Sequence, residues 1–232
     1  MELIPVLDLM GGVVVHARRG ERDRYRPIET PLCPGSDPFA IAEALLALAP
    51  FRTLYIADLD AIRGRGDHDA VIGALQRRHP GLALWVDAGE GTPERVSRRV
   101  SAGLGRPVVG TESLAGSSAA RTVLAGEGTI LSLDHDARGR MGPDAIHDTP
   151  ALWPDDLIVM TLARVGSDAG PDIARLAEVQ QKAGRRRVHA AGGVRDTSDL
   201  DRLTGQGVAG VLLASALHDG RLDPATLRRF TG

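Results

Sequence analysis

The chain carries one cysteine, Cys33, and all but one of its 28 basic residues are arginine. A lone thiol cannot close a disulfide within the chain, which suits a reducing compartment. The single lysine, Lys182, falls inside the predicted helix PDIARLAEVQQKAG and not at a strand end. Schiff-base chemistry needs a desolvated amine at the reacting centre, so it is not expected. No uninterrupted apolar run reaches the ~18–20 residues that span a bilayer. Charge of one sign is also lacking. The net charge of −2 gives no general attraction to nucleic acid or to a membrane surface. The opening MELIPVLDLM has an acid at position 2 and no basic n-region, so it does not read as a signal peptide. A cytoplasmic protein is the expectation.

Among the 232 residues, 43% are apolar, enough to fill a core. The length fits one α/β barrel of ~250 residues, or two ordinary domains of ~100–150. The order of elements decides between them. Short apolar runs alternate with longer helical patterns, as in serial βαβ units. Strands are read at residues 3–9, 53–59, 82–87, 107–110, 129–134, 157–162, 187–192 and 210–215. Several are apolar throughout, as parallel strands covered on both faces should be. Asp37-Pro38, Thr92-Pro93 and Asp223-Pro224 each place a capping side chain before a proline at the first helical position. Asp196 or Ser198 caps the helix through DLDRLTG. The element after strand five is short. Eight strands with right-handed crossovers close into a (β/α)8 TIM barrel, read as one α/β domain over residues 1–232. The irregular feature is the first βα connection, residues 10–36. Loops of that length are usually functional, and GGVVVHA suits a small hairpin within it.

Chemistry concentrates at the predicted C-terminal ends of the strands. Gly192 and Gly193 follow strand seven, and Ala214 and Ser215 follow strand eight. Glycines let backbone N–H groups approach a phosphate, and barrels frequently bind phosphate with these two loops. Arg195 is close by as a charge donor. Asp8 ends strand one and Asp134 ends strand five, which lie opposite each other in an eight-stranded barrel. Two carboxyls at the rim of an apolar core can split into an acid and a base. Thr161, near the end of strand six, offers either a substrate-facing hydroxyl or an ordinary β-branched strand residue.

Asp58 and Asp60 end strand two and share a face if that strand continues through them. Asp87 ends strand three and Glu112 follows strand four. Together they form an acidic ring. Pairing with Arg18, Arg19, Arg63 or Arg164 is adopted over a divalent cation, so no metal and no cofactor is assigned. His135 and Asp136 follow Asp134 directly, and His189 lies inside strand seven; these histidines lack any zinc-type spacing and are read as structural or ligand-orienting. Asp58, Asp87, Glu112, Arg164 and Gly166 complete the candidate substrate contacts.

IPVLDLMGGVVVHARRG, ADLDAI, SLDHDARG, TLARVGSDAG, HAAGGVRDTSDL and GVLLASALHDG occur in that order. Together they resemble the histidine-biosynthesis barrel family, from residue 3 to about 220. That family holds the isomerase of phosphoribosylformimino-aminoimidazole carboxamide ribotide (ProFAR) and a cyclase sister. Within it, the sequence looks closer to a ProFAR-isomerase-related branch of organisms using methanopterin-linked one-carbon metabolism. The resemblance implies an Amadori rearrangement of an aminosugar phosphate. Asp8 then matches the base, Asp134 the general acid and Thr161 the strand-six hydroxyl. Gly192, Gly193 and Ser215 match one phosphate site. ProFAR carries a phosphate at each end, and the family usually holds the other with a Gly-Gly-Gly run after strand three. Here that place reads VDAGEGTPE, with Asp87 and Glu90, and the next turn reads VGTES. The expectation is an isomerase-like barrel with one phosphate anchor and a phosphorylated small molecule as partner. ProFAR isomerase itself and a non-catalytic phosphometabolite-binding barrel are the alternatives. The oligomeric state is not readable.

Overall fold

Eight apolar runs become eight parallel strands. In the computed structural model, which describes residues 1–231, β1 spans Glu2–Met10, β2 Thr53–Asp58, β3 Ala83–Asp87 and β4 Arg106–Gly110. The second half contains β5 at Ile130–Asp136, β6 at Asp156–Thr161, β7 at Arg187–Ala191 and β8 at Gly210–Leu213. Neighbours in this order pair in parallel, and β1 also pairs with β8 from Glu2↔Gly210 to Pro5↔Leu213. The sheet therefore closes into a (β/α)8 barrel. No helix among the described residues is long and apolar enough to cross a membrane.

The two-residue period of the strands sorts the side chains. Ile4, Val6, Tyr55, Trp85, Val108 and Ile130 belong to the cluster that fills the barrel interior. Leu3, Leu7, Leu54, Ile56, Val109 and Leu131 alternate with them and pack against the helices. Burying each such aliphatic side chain contributes ~1.5–3 kcal/mol. Continued to the strand ends, the same period turns Asp8, Asp87, Gly110, Asp134 and Met160 toward the mouth. At the opposite end, buried Asp156 accepts from Arg106 (2.7 Å), Arg187 (2.6 Å) and His189 (3.2 Å). Burial alone pushes the Asp156 carboxyl up, but these three donors outweigh it and hold it well below the usual range. His189 stands edge-on to Trp85 with ring centroids 4.9 Å apart. Gly210 makes room for it, since a Cβ there would lie 2.6 Å from His189 Nδ1.

Helix starts follow the capping residues. Asp37 accepts from the amides of Phe39 and Ala40, and Thr92 from that of Arg95. Of the pair Asp196 and Ser198, it is Asp196 that caps Thr197–Gly205. Strand two corrects one expectation. It ends at Asp58, and Leu59–Ile62 is already helical, so Asp58 and Asp60 do not share a strand face.

The long first connection is ordered by its own contacts. Leu9↔Val14 and Met10↔Val13 form the expected small hairpin. A bridge joins Val15 to Pro27, and Arg22–Arg24 makes a single 3-10 turn. The loop docks on the β6 loop, where Arg19 N–H donates to the Val165 carbonyl at 2.9 Å. Gly166 permits this approach. Its φ is +59°, and a Cβ would fall 2.8 Å from the Ala17 carbonyl oxygen.

Candidate active site

The mouth opens into a cleft of about 960 Å³ with its open entrance counted. Asp8, Asp87, Glu112 and Asp134 line it on one side, and Gly192, Gly193, Ala214 and Ser215 on the other. Arg22 and Tyr25 reach it from the first loop, and Tyr55 from the barrel interior.

The acidic side is built by strand register and by two turns. Asp134 accepts from Ser132 Oγ (2.5 Å), Thr111 Oγ1 (3.4 Å) and the Glu112 amide (3.3 Å). Burial pushes its carboxyl up to about 7, against the pull of the Ser132 hydroxyl. Burial likewise lifts Asp8 to about 7, while the Arg22 guanidinium opposes the rise. Asp87 is raised well above the usual range, by burial first and then by the charge of Asp134. Gly110 separates these two carboxyls. A Cβ on it would lie 2.6 Å from Asp134 Oδ2 and 3.6 Å from Asp87 Oδ2. Arg22 forms an ion pair with Glu112. One cation therefore faces four carboxyls, and burial, joined at Asp87 and Asp134 by a neighbouring carboxylate, favours the protonated forms of Asp8, Asp87 and Asp134.

The turn after β3 is closed by the chain itself. The Ala88 amide donates to Glu90 Oε2 (3.1 Å) and the Gly89 amide to Asp87 Oδ1 (3.1 Å). Glu90 is buried against Arg99, so its charge is neutralised below the surface. Gly91 packs on the next turn so tightly that a Cβ would lie 2.1 Å from the Ser113 carbonyl oxygen. Three amides of this turn, those of Ala88, Gly89 and Gly91, are thus already occupied.

The opposite side differs. Gly192 and Gly193 adopt φ of +100° and +90°. Their missing side chains matter, because Cβ atoms would lie 2.6 Å from the Thr161 carbonyl oxygen and 2.3 Å from that of Gly170. The Gly193 and Val194 amides, and those of Ser215 and Ala216 in the first turn of Ser215–His218, donate to no acceptor among the described residues. Ser215 Oγ lies 3.1 Å from His16 Nε2. Burial, with Arg18 adding to it, holds His16 below its usual value. Arg221 lines this side as well, paired with Asp168 (2.6 Å) and Asp219 (2.8 Å).

Four expected contacts lie elsewhere. Asp58 is fully buried, and its carboxylate takes the Ala61 amide (3.1 Å), the His68 amide (2.7 Å) and His68 Nδ1 (2.8 Å). Thr161 ends β6 one residue beyond Met160, so Met160 holds the mouth-facing position and lines the cleft, while Thr161 does not. Arg164 spends its guanidinium on the Ala169 (3.2 Å), Gly170 (2.9 Å) and Pro171 (3.3 Å) carbonyls of its own loop. Arg195 is held in a two-point pair with Asp199, at 2.8 and 2.9 Å. The arginine that balances the acidic ring is Arg22, whereas Arg63 pairs with Asp23. Arg22, Tyr25, His16, Tyr55 and Arg221 escape the sequence reading. Only Tyr55 had a usable signal, as it sits in β2 opposite Val6 of β1.

Comparison with known proteins gives two findings. The family model described as histidine biosynthesis protein matches residues 2–223. A 1-(5-phosphoribosyl)-5-((5-phosphoribosylamino)methylideneamino)imidazole-4-carboxamide isomerase, that is ProFAR isomerase, of Symbiobacterium thermophilum is 31% identical, covering 100% of this chain and 97% of its own. The enzyme of the same name from Halorhodospira halophila is 29% identical over 99% of this chain and 96% of its own. An uncharacterised protein of Methanocaldococcus jannaschii is 30% identical over 96% of each chain.

Proposed function

Because this chain belongs to the histidine-biosynthesis protein family, we propose that it isomerises a small aminosugar phosphate by acid–base chemistry, holding the substrate through one phosphate. The observation that carries this reading is the pairing of two carboxyls, Asp8 and Asp134, each lifted to about 7, at the mouth that also holds the unoccupied amides of Gly193 and Ser215. A group poised near the working pH is both a sufficient acid and a sufficient base.

The phosphate sits on the β7 and β8 turns, with the charge of Arg221 beside it. Asp134 in its protonated form gives its proton to the ring oxygen. The C1–O bond breaks, and the nitrogen lone pair closes the C1=N bond. Ionised Asp8 then takes the proton from C2, and that electron pair forms the C1=C2 enolamine. Ketonisation returns a proton to C1 and leaves a carbonyl at C2. No proton or electron is gained or lost overall. The closed turn after β3 supports a singly phosphorylated substrate over the doubly phosphorylated ProFAR.

The test is exchange at C2. Candidate aldosylamine phosphates are incubated with the protein in D2O and followed by proton NMR. Solvent deuterium should appear at C2 and in the ketose product, and Asp8→Asn and Asp134→Asn should each slow it by ~10²-fold or more. Full exchange by both variants would remove the acid–base assignment. Rescue of a histidine-auxotrophic strain lacking ProFAR isomerase would instead favour ProFAR as substrate.

A further inference from the structure

The half of the mouth formed by β2, β3, β4 and β5 is unlike the other half in one respect that acid–base catalysis does not require. Two carboxyls suffice for an acid and a base, yet Asp87 and Glu112 stand beside Asp8 and Asp134. The Ala88, Gly89 and Gly91 amides of the turn after β3 are satisfied internally. The one cation present, Arg22, is committed to Glu112.

A second observation is independent of the carboxyls. Tyr55 is 2% exposed, and it lines the floor of the cleft. Its hydroxyl makes no hydrogen bond among the described residues, and Asp87, Asp134, Asp8 and Glu112 all act on it electrostatically. The ring is buried while the hydroxyl reaches the cleft with no protein partner, so it is free to engage a ligand atom seated there. Its lone pairs accept from an N–H. The surrounding carboxyls supply acceptors, and a cation seated among them favours their ionised forms, which a phosphate would not.

We infer that this half of the cleft binds a protonated amine carried at the unphosphorylated end of the substrate. Tyr55, Asp87 and Glu112 are the groups that recognise it. The inference rests on the one-phosphate reading and narrows it to an amine-bearing phosphate, in which positive and negative ends lie across the barrel mouth. A metal ion is the competing cation. The described residues contain no group of three or more carboxylate, histidine or cysteine side chains placed to hold one.

Calorimetry with defined probes decides the matter. The probes are ω-aminoalkyl phosphates of three to six carbons, the matching alkyl phosphates, alkane bisphosphates and alkylamines, then Mg²⁺ and Ca²⁺ alone. At its best length, the aminoalkyl phosphate should bind about tenfold or more tighter than the alkyl phosphate, and the bisphosphate should be weakest. Asp87→Asn should erase that preference and leave alkyl phosphate affinity unchanged. Glu112→Gln, which frees Arg22 at the rim, serves if the buried variant does not fold, and it should raise bisphosphate affinity. Equal binding of aminoalkyl and alkyl phosphates overturns the inference and leaves the phosphate anchor standing. Tighter binding of bisphosphates, or of a divalent ion that the amines displace, overturns it too. If no phosphate compound binds but an alkylamine does, and Asp87→Asn abolishes that, the amine subsite stands and the anchor falls. Silence of every probe removes both.

Discussion

Replacing Asp134 by asparagine should stabilise the folded protein at pH 8 while it stops turnover. Asp134 is 4% exposed, and its carboxyl is lifted from 3.8 to about 7, by burial first. Between those values the native state keeps a proton that the unfolded chain has released. The unfolded state therefore binds fewer protons, and stability falls as pH rises through this window. At ~1.36 kcal/mol for each pH unit, a window of about three units amounts to roughly 4 kcal/mol lost by pH 8. Asparagine cannot ionise, so this loss vanishes. It keeps one oxygen for Ser132 or the Glu112 amide but puts an NH2 where the other oxygen stood, a cost of ~1–2 kcal/mol. The net expectation is a variant more stable than the wild type by roughly 2–3 kcal/mol at pH 8, and of about equal stability at pH 5, where the wild type has lost only ~1.6 kcal/mol. Urea unfolding at pH 5, 6, 7 and 8 measures both. Parallel pH dependences for the two proteins would refute the claim that Asp134 is held protonated by its burial.

Three further outcomes are expected. The pH dependence of kcat/KM should be a narrow bell centred near pH 7, because one carboxyl must be ionised and the other protonated while both sit at about 7; a flat profile from pH 5 to 9 counts against the pair. Arg22→Ala removes the cation that lowers Asp8, so the acidic limb of that bell should move to higher pH, and an unmoved limb would show that Arg22 does not act on the base. Gly193→Ala puts a Cβ 2.3 Å from the Gly170 carbonyl oxygen at a φ of +90°. It should cost ~1–3 kcal/mol in thermal unfolding and weaken inorganic phosphate by about tenfold or more in calorimetry; unchanged phosphate affinity would place the anion elsewhere.

What the sequence discloses and what it hides follow from the range of the forces involved. Strands and helix starts depend on neighbours within a few residues, so the apolar runs and caps such as Asp37-Pro38 are legible. Asp8 and Asp134 are legible because each closes an apolar run whose period of two carries it to the mouth. Partner choice is a tertiary matter. Arg22 and Glu112 are 90 residues apart, and nothing local distinguishes Arg22 from Arg18, Arg19 or Arg24. Asp58 misled for a related reason. Alternation presumed that the strand ran on to Asp60, whereas the chain turned helical at Leu59 and gave the Asp58 carboxylate two local amides and a histidine. Thr161 misled by one register position, which in a strand exchanges one face for the other.

The charge at the unphosphorylated end then bears on catalysis as well as on binding. Asp8 and Asp134 reach about 7 through burial, and Glu112 adds a like charge beside Asp134. A second phosphate placed among these groups would add negative potential and drive both carboxyls further up, leaving too little ionised Asp8 to take a proton from C2. An ammonium group in the same place would pull them down again, Asp8 into its ionised form. It would do so at the moment the substrate is seated, in a cleft where water no longer screens the interaction. Strand register places Asp8 and Asp134, the proposed base and acid, at the mouth. The turns after β3 and β4 are free to change without disturbing that register. Placing Asp87, Glu90 and Glu112 in or beside those turns would therefore change which substrate can activate the proposed pair while leaving the pair itself in place.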